Sequence, residues 1–272
     1  MTLTYIFHSG FVLETNKSIL IFDYWLDLNG VVPPFLKKDK PIYVFSSHFH
    51  EDHFNKAIFE WRKQREGITY ILSKDIYKHR RTNKEDADVW LAKGGTWSDS
   101  TLSVWALGST DSGVSWIVET EGKRFFHAGD LNNWYARFLP EAVPGETIYS
   151  EEFDEEIDPI AHEKQYLGEL KDIRKITDSF DVVMFPGVRC SGIEQSEKIV
   201  YLCCGAYCRT RRGASCFLFN SNYRAEACNT LNPRAFQNAY ELAGVCGKSL
   251  HVPSLPFCIN SVERQRRFSA SA

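Results

Sequence analysis

No apolar run in this chain of 272 residues approaches the roughly 20 that a membrane-spanning helix needs, so no spanning segment is expected. The opening stretch MTLTYIFHSGF has neither a basic n-region nor a long apolar core, which argues against a secretory signal and for a cytoplasmic, soluble protein. An excess of one charge is lacking too. With 32 basic residues against 35 acidic, the formal net charge of -3 gives no general attraction to nucleic acid or to an anionic membrane. There is no internal repeat, no low-complexity segment and no Gly-rich flavin-binding segment. What is present, 43% apolar and 14% aromatic residues, suffices for a substantial core in one large domain or two small ones.

Two further absences divide the chain. All eight cysteines lie after residue 187, whereas all seven tryptophans lie before it and the last aspartate is Asp181. Up to residue 187 there are 21 basic and 30 acidic residues; the remaining 85 residues carry 11 basic and 5 acidic. Such a shift marks a boundary between residues 1-187 and 188-272, yet no Pro/Gly/Ser linker precedes it. The strand-like DVVMFPG runs straight into the change. Cys203-Cys204-x3-Cys208 is not a paired CxxC zinc arrangement, disulfides are not expected without an export signal, and the Arg209–Arg212 run is too short for a nucleic-acid patch. Two readings of the Cys/Arg-rich tail stay open: an incomplete second half of the fold, or an out-of-frame translation beginning near Pro186-Gly187. Resequencing that finds an intact frame removes the second.

Before the seam, short strands are expected at Leu3–Ile6, Phe11–Glu14 and Ser18–Phe22, forming an antiparallel meander. Further strands are expected at Ile42–Ser46, Ile68–Leu72, Thr101–Leu107, Val114–Glu119, Arg124–His127 and Asp181–Phe185. Helices are expected at Lys56–Arg65 and Glu163–Ser179. Strands flanked by helices around a mixed sheet define a layered α/β sandwich.

Histidine is concentrated in one place. Ser46–Phe54 reads SSHFHEDHF, with three histidines and an aspartate within six positions, a pattern too dense for a packed core. Ligands that leave the end of a strand together can converge on a cation: His48 and His50 on one ion, Asp52 and His53 on a second. Imidazole and carboxylate suit zinc, manganese, iron and cobalt. A second constellation, Phe125–Asp130 (FFHAGD), ends an apolar strand in a glycine that lets the backbone turn, so that Asp130 projects from the strand end and can bridge both ions.

These motifs resemble those of the metallo-β-lactamase-fold hydrolases: SHFHEDH fits the His-x-His-x-Asp-His signature, HAGD the later Gly-Asp motif, and IFHSGFVLET with LIFDYW the first strands. The resemblance covers about residues 1-187 and implies an αββα four-layer sandwich with the metals in a cleft between sheet edges. It implies His48 and His50 on a first ion, Asp52 and His53 on a second, and Asp130 between them. Two zinc ions are expected, manganese or iron being alternatives. Two positions depart from the family. Where it usually supplies a third histidine, this chain has Gly108–Gly113 with Asp111 the one strong ligand, either binding a metal or closing an Asx-turn. The final histidine, normally from a C-terminal loop, has one counterpart here, His251 in KSLHVPSLPF.

The activity implied is metal-dependent hydrolysis, a bound hydroxide attacking an ester, amide, thioester or phosphodiester of a small-molecule or nucleotide-like substrate, with Asp52 or Asp130 orienting the nucleophile. Two alternatives remain: a di-iron redox protein, and a degenerate, non-catalytic member of the fold. His8 reads as a turn histidine or a group supporting the metal ligands; His79 and His162 read as surface residues; Glu151–Asp158 reads as a solvated loop or helix start. Trp25 and Trp134 are cleft walls or core.

Overall fold

The computed structural model describes residues 1–151 and 153–187, together with the strand backbone of 215–220. Strands β1 (Thr2–Tyr5), β2 (Phe11–Glu14) and β3 (Ile19–Phe22) form the expected antiparallel meander. Helix α1 (Val32–Leu36) then crosses to β4 (Ile42–Ser46), which runs parallel to β3. A 3₁₀ helix at Lys56–Lys63 precedes β5 (Ile68–Ser73), and α2 (Lys74–Lys78) precedes β6 (Val89–Leu91). The six strands form one sheet in sequence order.

The second sheet starts with four antiparallel strands, β7 (Thr96–Ser98), β8 (Leu102–Leu107), β9 (Ser115–Thr120) and β10 (Lys123–His127). A hairpin of β11 (Ile148–Ser150) and β12 (Glu155–Ile157) leads into α3 (Pro159–Ile176). Strand β13 (Val182–Gly187) joins parallel to β10, and β14 (Ser215–Asn220) parallel to β13.

The period of two along these strands builds the layers. Phe11, Leu13, Leu20 and Phe22 point into the space between the sheets, where they meet Val104, Trp116, Val118 and Phe125. Their neighbours Val12, Ile19 and Ile21 point the other way, against Ile58, Trp61 and Ile76 of the 3₁₀ helix and α2. On the second sheet Ile117, Phe126 and Val183 turn outward against Tyr166 and Ile173 of α3. Helix, sheet, sheet, helix is the four-layer αββα sandwich expected, and each buried large apolar side chain contributes about 1.5–3 kcal/mol.

Several boundaries differ from the sequence-based expectation. Helix α3 begins before Glu163 because the Asp158 carboxylate accepts from the Ala161 amide at 2.9 Å and Pro159 stands in the first turn. It ends before Ser179 because Thr177 is extended, with φ -156°. The acidic run holds a strand, β12, and then the helix cap, rather than a loop alone. Helices α1 and α2 and strands β6, β7, β11 and β12 were not anticipated: at three to five residues each, they are too short to print a period. Of the Cys/Arg-rich tail, only Ser215–Asn220 belongs to the described residues; His251 lies outside them.

Candidate metal centre

Strand β4 ends at Ser46, and its continuation curls back: the amides of His53 and Phe54 both donate to the His50 carbonyl, at 3.1 and 3.0 Å. Two loops from the second sheet close over this curl. The Val114 amide donates to the Ser47 carbonyl at 3.0 Å, fixing the 108–113 loop against β4. Gly113 has φ +66°, and a Cβ there would lie 2.1 Å from the Ser47 carbonyl oxygen, so only glycine allows this approach. After β10, Gly129 has φ +54° and presses on Ser47, turning the chain so that Asp130 faces the curl.

The result is two adjoining clusters. In the first, His48 Nε2 lies 3.0 Å from His50 Nδ1 and 3.7 Å from Asp130 Oδ2, and His50 Nδ1 lies 3.4 Å from Asp111 Oδ2. In the second, Asp52 Oδ2 lies 3.6 Å from His53 Nε2 and 3.4 Å from His8 Nε2. One aspartate faces both, since Asp130 Oδ1 is 3.3 Å from His53 Nε2. A tetrahedral cation with bonds of about 2.1 Å separates its donor atoms by about 3.4 Å, close to the 3.3–3.7 Å of the imidazole–carboxylate pairs here and longer than a charge-assisted hydrogen bond; His48 and His50, at 3.0 Å, stand at hydrogen-bond distance. His53 Nε2 and Asp130 Oδ1 are buried and make no hydrogen bond among the described residues. Buried polar atoms without partners are costly, and a cation between them removes the cost. The donor set of this structure therefore fits one or two divalent ions.

The structure adds Asp23, to which sequence reasoning gave no role. It ends β3 on a left-handed backbone, φ +42°, and is fully buried. Its carboxylate accepts from the Ser47 amide at 2.7 Å, the Ser47 hydroxyl at 2.6 Å and His53 Nδ1 at 2.7 Å. Because the Ser47 proton points to Asp23, its oxygen is left to accept from His48 Nδ1 at 3.0 Å. One carboxylate thus orients both histidines through Nδ1, so that each Nε2 faces its cluster. The available signal was an aspartate closing an apolar strand in LIFDYW.

Electrostatics follow from this packing. Burial lowers His48, the neighbouring His53 adds to it, and the ring is pushed down to about 3. Burial acts the same way on His53, but the Asp130 and Asp23 carboxylates outweigh it and hold His53 well above its ordinary value. Asp130 moves down despite burial, chiefly because of His53. Burial, reinforced by Asp130, raises Asp111.

Of the residues singled out from sequence, His48, His50, Asp52, His53, Asp111 and Asp130 converge. Asp111 Oδ2 faces His50 Nδ1 at 3.4 Å, and its backbone amide donates to Ser109 Oγ at 3.3 Å. Both readings of His8 hold in part: it stands in the turn after β1, and its ring is buried beside Asp52 and His53. His127 stays apart; Nε2 meets the Ser9 carbonyl at 2.9 Å and the ring stacks on Phe22. His79 is exposed, but His162 is half-buried against Tyr135 rather than on the surface. Trp25 stands edge-on to His8 and, with Glu51, Asn55, Lys56, Arg80 and Arg81, lines an open cleft of about 480 Å³ beside the metal-ligand loop.

Comparison with known proteins agrees with this architecture. No family model matches the chain. It is 30% identical over 139 residues to a UPF0173 metal-dependent hydrolase of Korarchaeum cryptofilum, an alignment covering 48% of this chain. The chain spans 61% of that relative's length. A solved metallo hydrolase of Ignicoccus hospitalis, Igni18, superposes with a TM-score of 0.55 at 18% identity, over 92% of this chain and 94% of its own. A metallo-β-lactamase of Cronobacter sakazakii matches more weakly, with a TM-score of 0.40 and 18% identity over 64% of this chain and 70% of its own. The two layered sheets and the motif at their edge define a protein of the metallo-β-lactamase fold. In sequence this chain is similar to a metal-dependent hydrolase, and in fold to a solved metallo hydrolase.

Proposed function

We propose that the protein is a metal-dependent hydrolase whose centre is formed by His48, His50 and Asp111 on one side, Asp52 and His53 on the other, and Asp130 between them. The single observation that carries this reading is Asp130, whose two carboxylate oxygens face His48 and His53 at 3.7 and 3.3 Å. Divalent cations held by these residues would supply Lewis-acid chemistry, making a water more acidic and offsetting negative charge that develops on the substrate. The chain's own residues do the rest. Asp23 and Ser47 hold His48 and His53 with Nε2 facing the clusters. Asp52, partly exposed beside His53, would accept the proton of an attacking water and return it to the leaving group.

Lys56, Arg80 and Arg81 around the cleft suit an anionic small molecule, nucleotide-like substrates included, carrying an ester, thioester, amide or phosphodiester bond. His48→Ala and Asp52→Ala are expected to remove activity on a generic phosphodiester and ester panel. Zinc or manganese should restore a chelated wild type; undiminished turnover after EDTA dialysis refutes the hydrolase. A second reading rests on Asp111 beside His50: a carboxylate there favours a harder ion, and a di-iron centre with redox chemistry would show bound iron and a redox-active signal.

A further inference from the structure

Within the metal-centre reading, the second cluster has a member that neither the sequence motifs nor the resemblance assigns. We propose that His8 is a ligand of the second cation, acting with Asp52, His53 and Asp130. The set is then complete by residue 130 and does not require a histidine from the C-terminal segment.

The argument starts from where His8 stands. The turn after β1 is closed by the Ile6 amide on the Gly10 carbonyl at 2.9 Å and the Gly10 amide on the Phe7 carbonyl at 2.8 Å. A Cβ on Gly10 would lie 2.9 Å from the Phe7 carbonyl oxygen, so this turn is tight. It places His8 at φ +54°, a conformation that is unfavourable for a residue with a Cβ and persists where the surroundings impose it. A histidine that merely decorated a turn would lie in solvent, yet His8 is only 3% exposed. Its ring is clamped between Trp25 and His53, both edge-on, with centroids 5.6 and 5.5 Å away. Nδ1 is 3.2 Å from Ser9 Oγ, which turns Nε2 toward Asp52.

Distance separates a ligand from an ion-pair partner. A histidine serving only to pair with Asp52 would close to about 2.7–2.9 Å. His8 Nε2 instead stands 3.4 Å from Asp52 Oδ2, and the chain of donors continues at 3.6 Å to His53 Nε2 and 3.3 Å to Asp130 Oδ1. These separations match the edges of a shell built on bonds of about 2.1 Å. The donor atoms of His8, Asp52 and His53 all lie within 4.8 Å of one another. Two imidazoles and two carboxylates satisfy zinc, cobalt or cadmium.

The test is a Co²⁺ titration of the full-length chain, read by d–d absorption, with bound metal counted by elemental analysis. Wild type and His251→Ala are expected to take up two equivalents. His8→Phe, which keeps an aromatic ring against Trp25, is expected to take up one, with affinity for the second reduced by more than the roughly 10–100-fold that loss of an outer supporting residue costs. Two equivalents of undiminished affinity in His8→Phe overturn the proposal, as does loss of the second equivalent from His251→Ala alone. Wild type binding no metal overturns the metal-centre reading together with it, whereas two equivalents in both wild type and His8→Phe overturn only the assignment of His8. A measurement that needs no variant uses wild type labelled with ¹⁵N-histidine and loaded with ¹¹³Cd. Scalar coupling at His8 Nε2 is expected, and its absence with both sites filled rejects the ligand.

Discussion

Asp23 shows how much a single carboxylate controls when it is dry. Its oxygens hold the Ser47 hydroxyl and His53 Nδ1, and through Ser47 they orient His48. Asp23→Asn keeps the shape but puts a donor where an acceptor is needed, so His53 would have to turn or change tautomer. We expect a 10–100-fold loss of metal affinity, measured by competition with a chromophoric chelator. Asp130 works differently, because its oxygens face opposite clusters. Asp130→Ala is expected to lower occupancy of both ions, whereas His50→Ala should lower only the first; elemental analysis of the purified variants distinguishes the two. The motif residues were legible in the sequence because their spacing is itself the signal. Asp23, 24 residues from the serine it binds, leaves no such trace.

At the scale of elements, the centre depends on two glycine-bearing loops gripping the end of β4. Gly113→Ala would place a methyl 2.1 Å from the Ser47 carbonyl oxygen and 2.5 Å from His48 Cβ, on a backbone at φ +66°. Backbone strain and overlap together should cost about 2 kcal/mol or more and displace His48, visible as a lower denaturant midpoint and weaker metal binding. The end of β2 in the first sheet offers a milder test. Glu14 on β2 sits 2.6 and 2.8 Å from the ammonium groups of Lys38 and Lys40. Burial would raise it, yet these two cations hold it below its ordinary 4.5. Its contribution is therefore full above that ordinary value and disappears as pH falls through the lower folded one. Lys38 is 41% exposed, so Glu14→Gln should cost about 0.2–1 kcal/mol at neutral pH and nothing in acid, read from urea melts at both. The long strands were found from their apolar runs, but α1, α2 and the three-residue strands carry too few residues for a period to emerge.

For the whole molecule, the candidate metal centre lies where the two sheets meet: β3 and β4 bring Asp23 and the histidine curl, and the second sheet brings Asp111 and Asp130. Cations bound there would tie the sheets together and, by favouring the folded chain, stabilise it by mass action. Zinc at 100 times its dissociation constant should add about 2.7 kcal/mol and raise the melting temperature, an increase that EDTA reverses. Among the described residues no helix is long and apolar enough to cross a membrane. Local order along the chain was sufficient to announce the longer strands, a layered α/β sandwich, the histidine-rich loop after β4 and the turn that frees Asp130, because each is written in neighbouring residues; the four-layer αββα arrangement came from the resemblance of the motifs. Only the packing of one sheet on the other could reveal that His8 enters the second cluster, that Asp111 reaches His50, and that Asp23 governs two imidazoles. Those pairings lie up to 61 residues apart, and their energies exist only after the apolar faces have closed and excluded water.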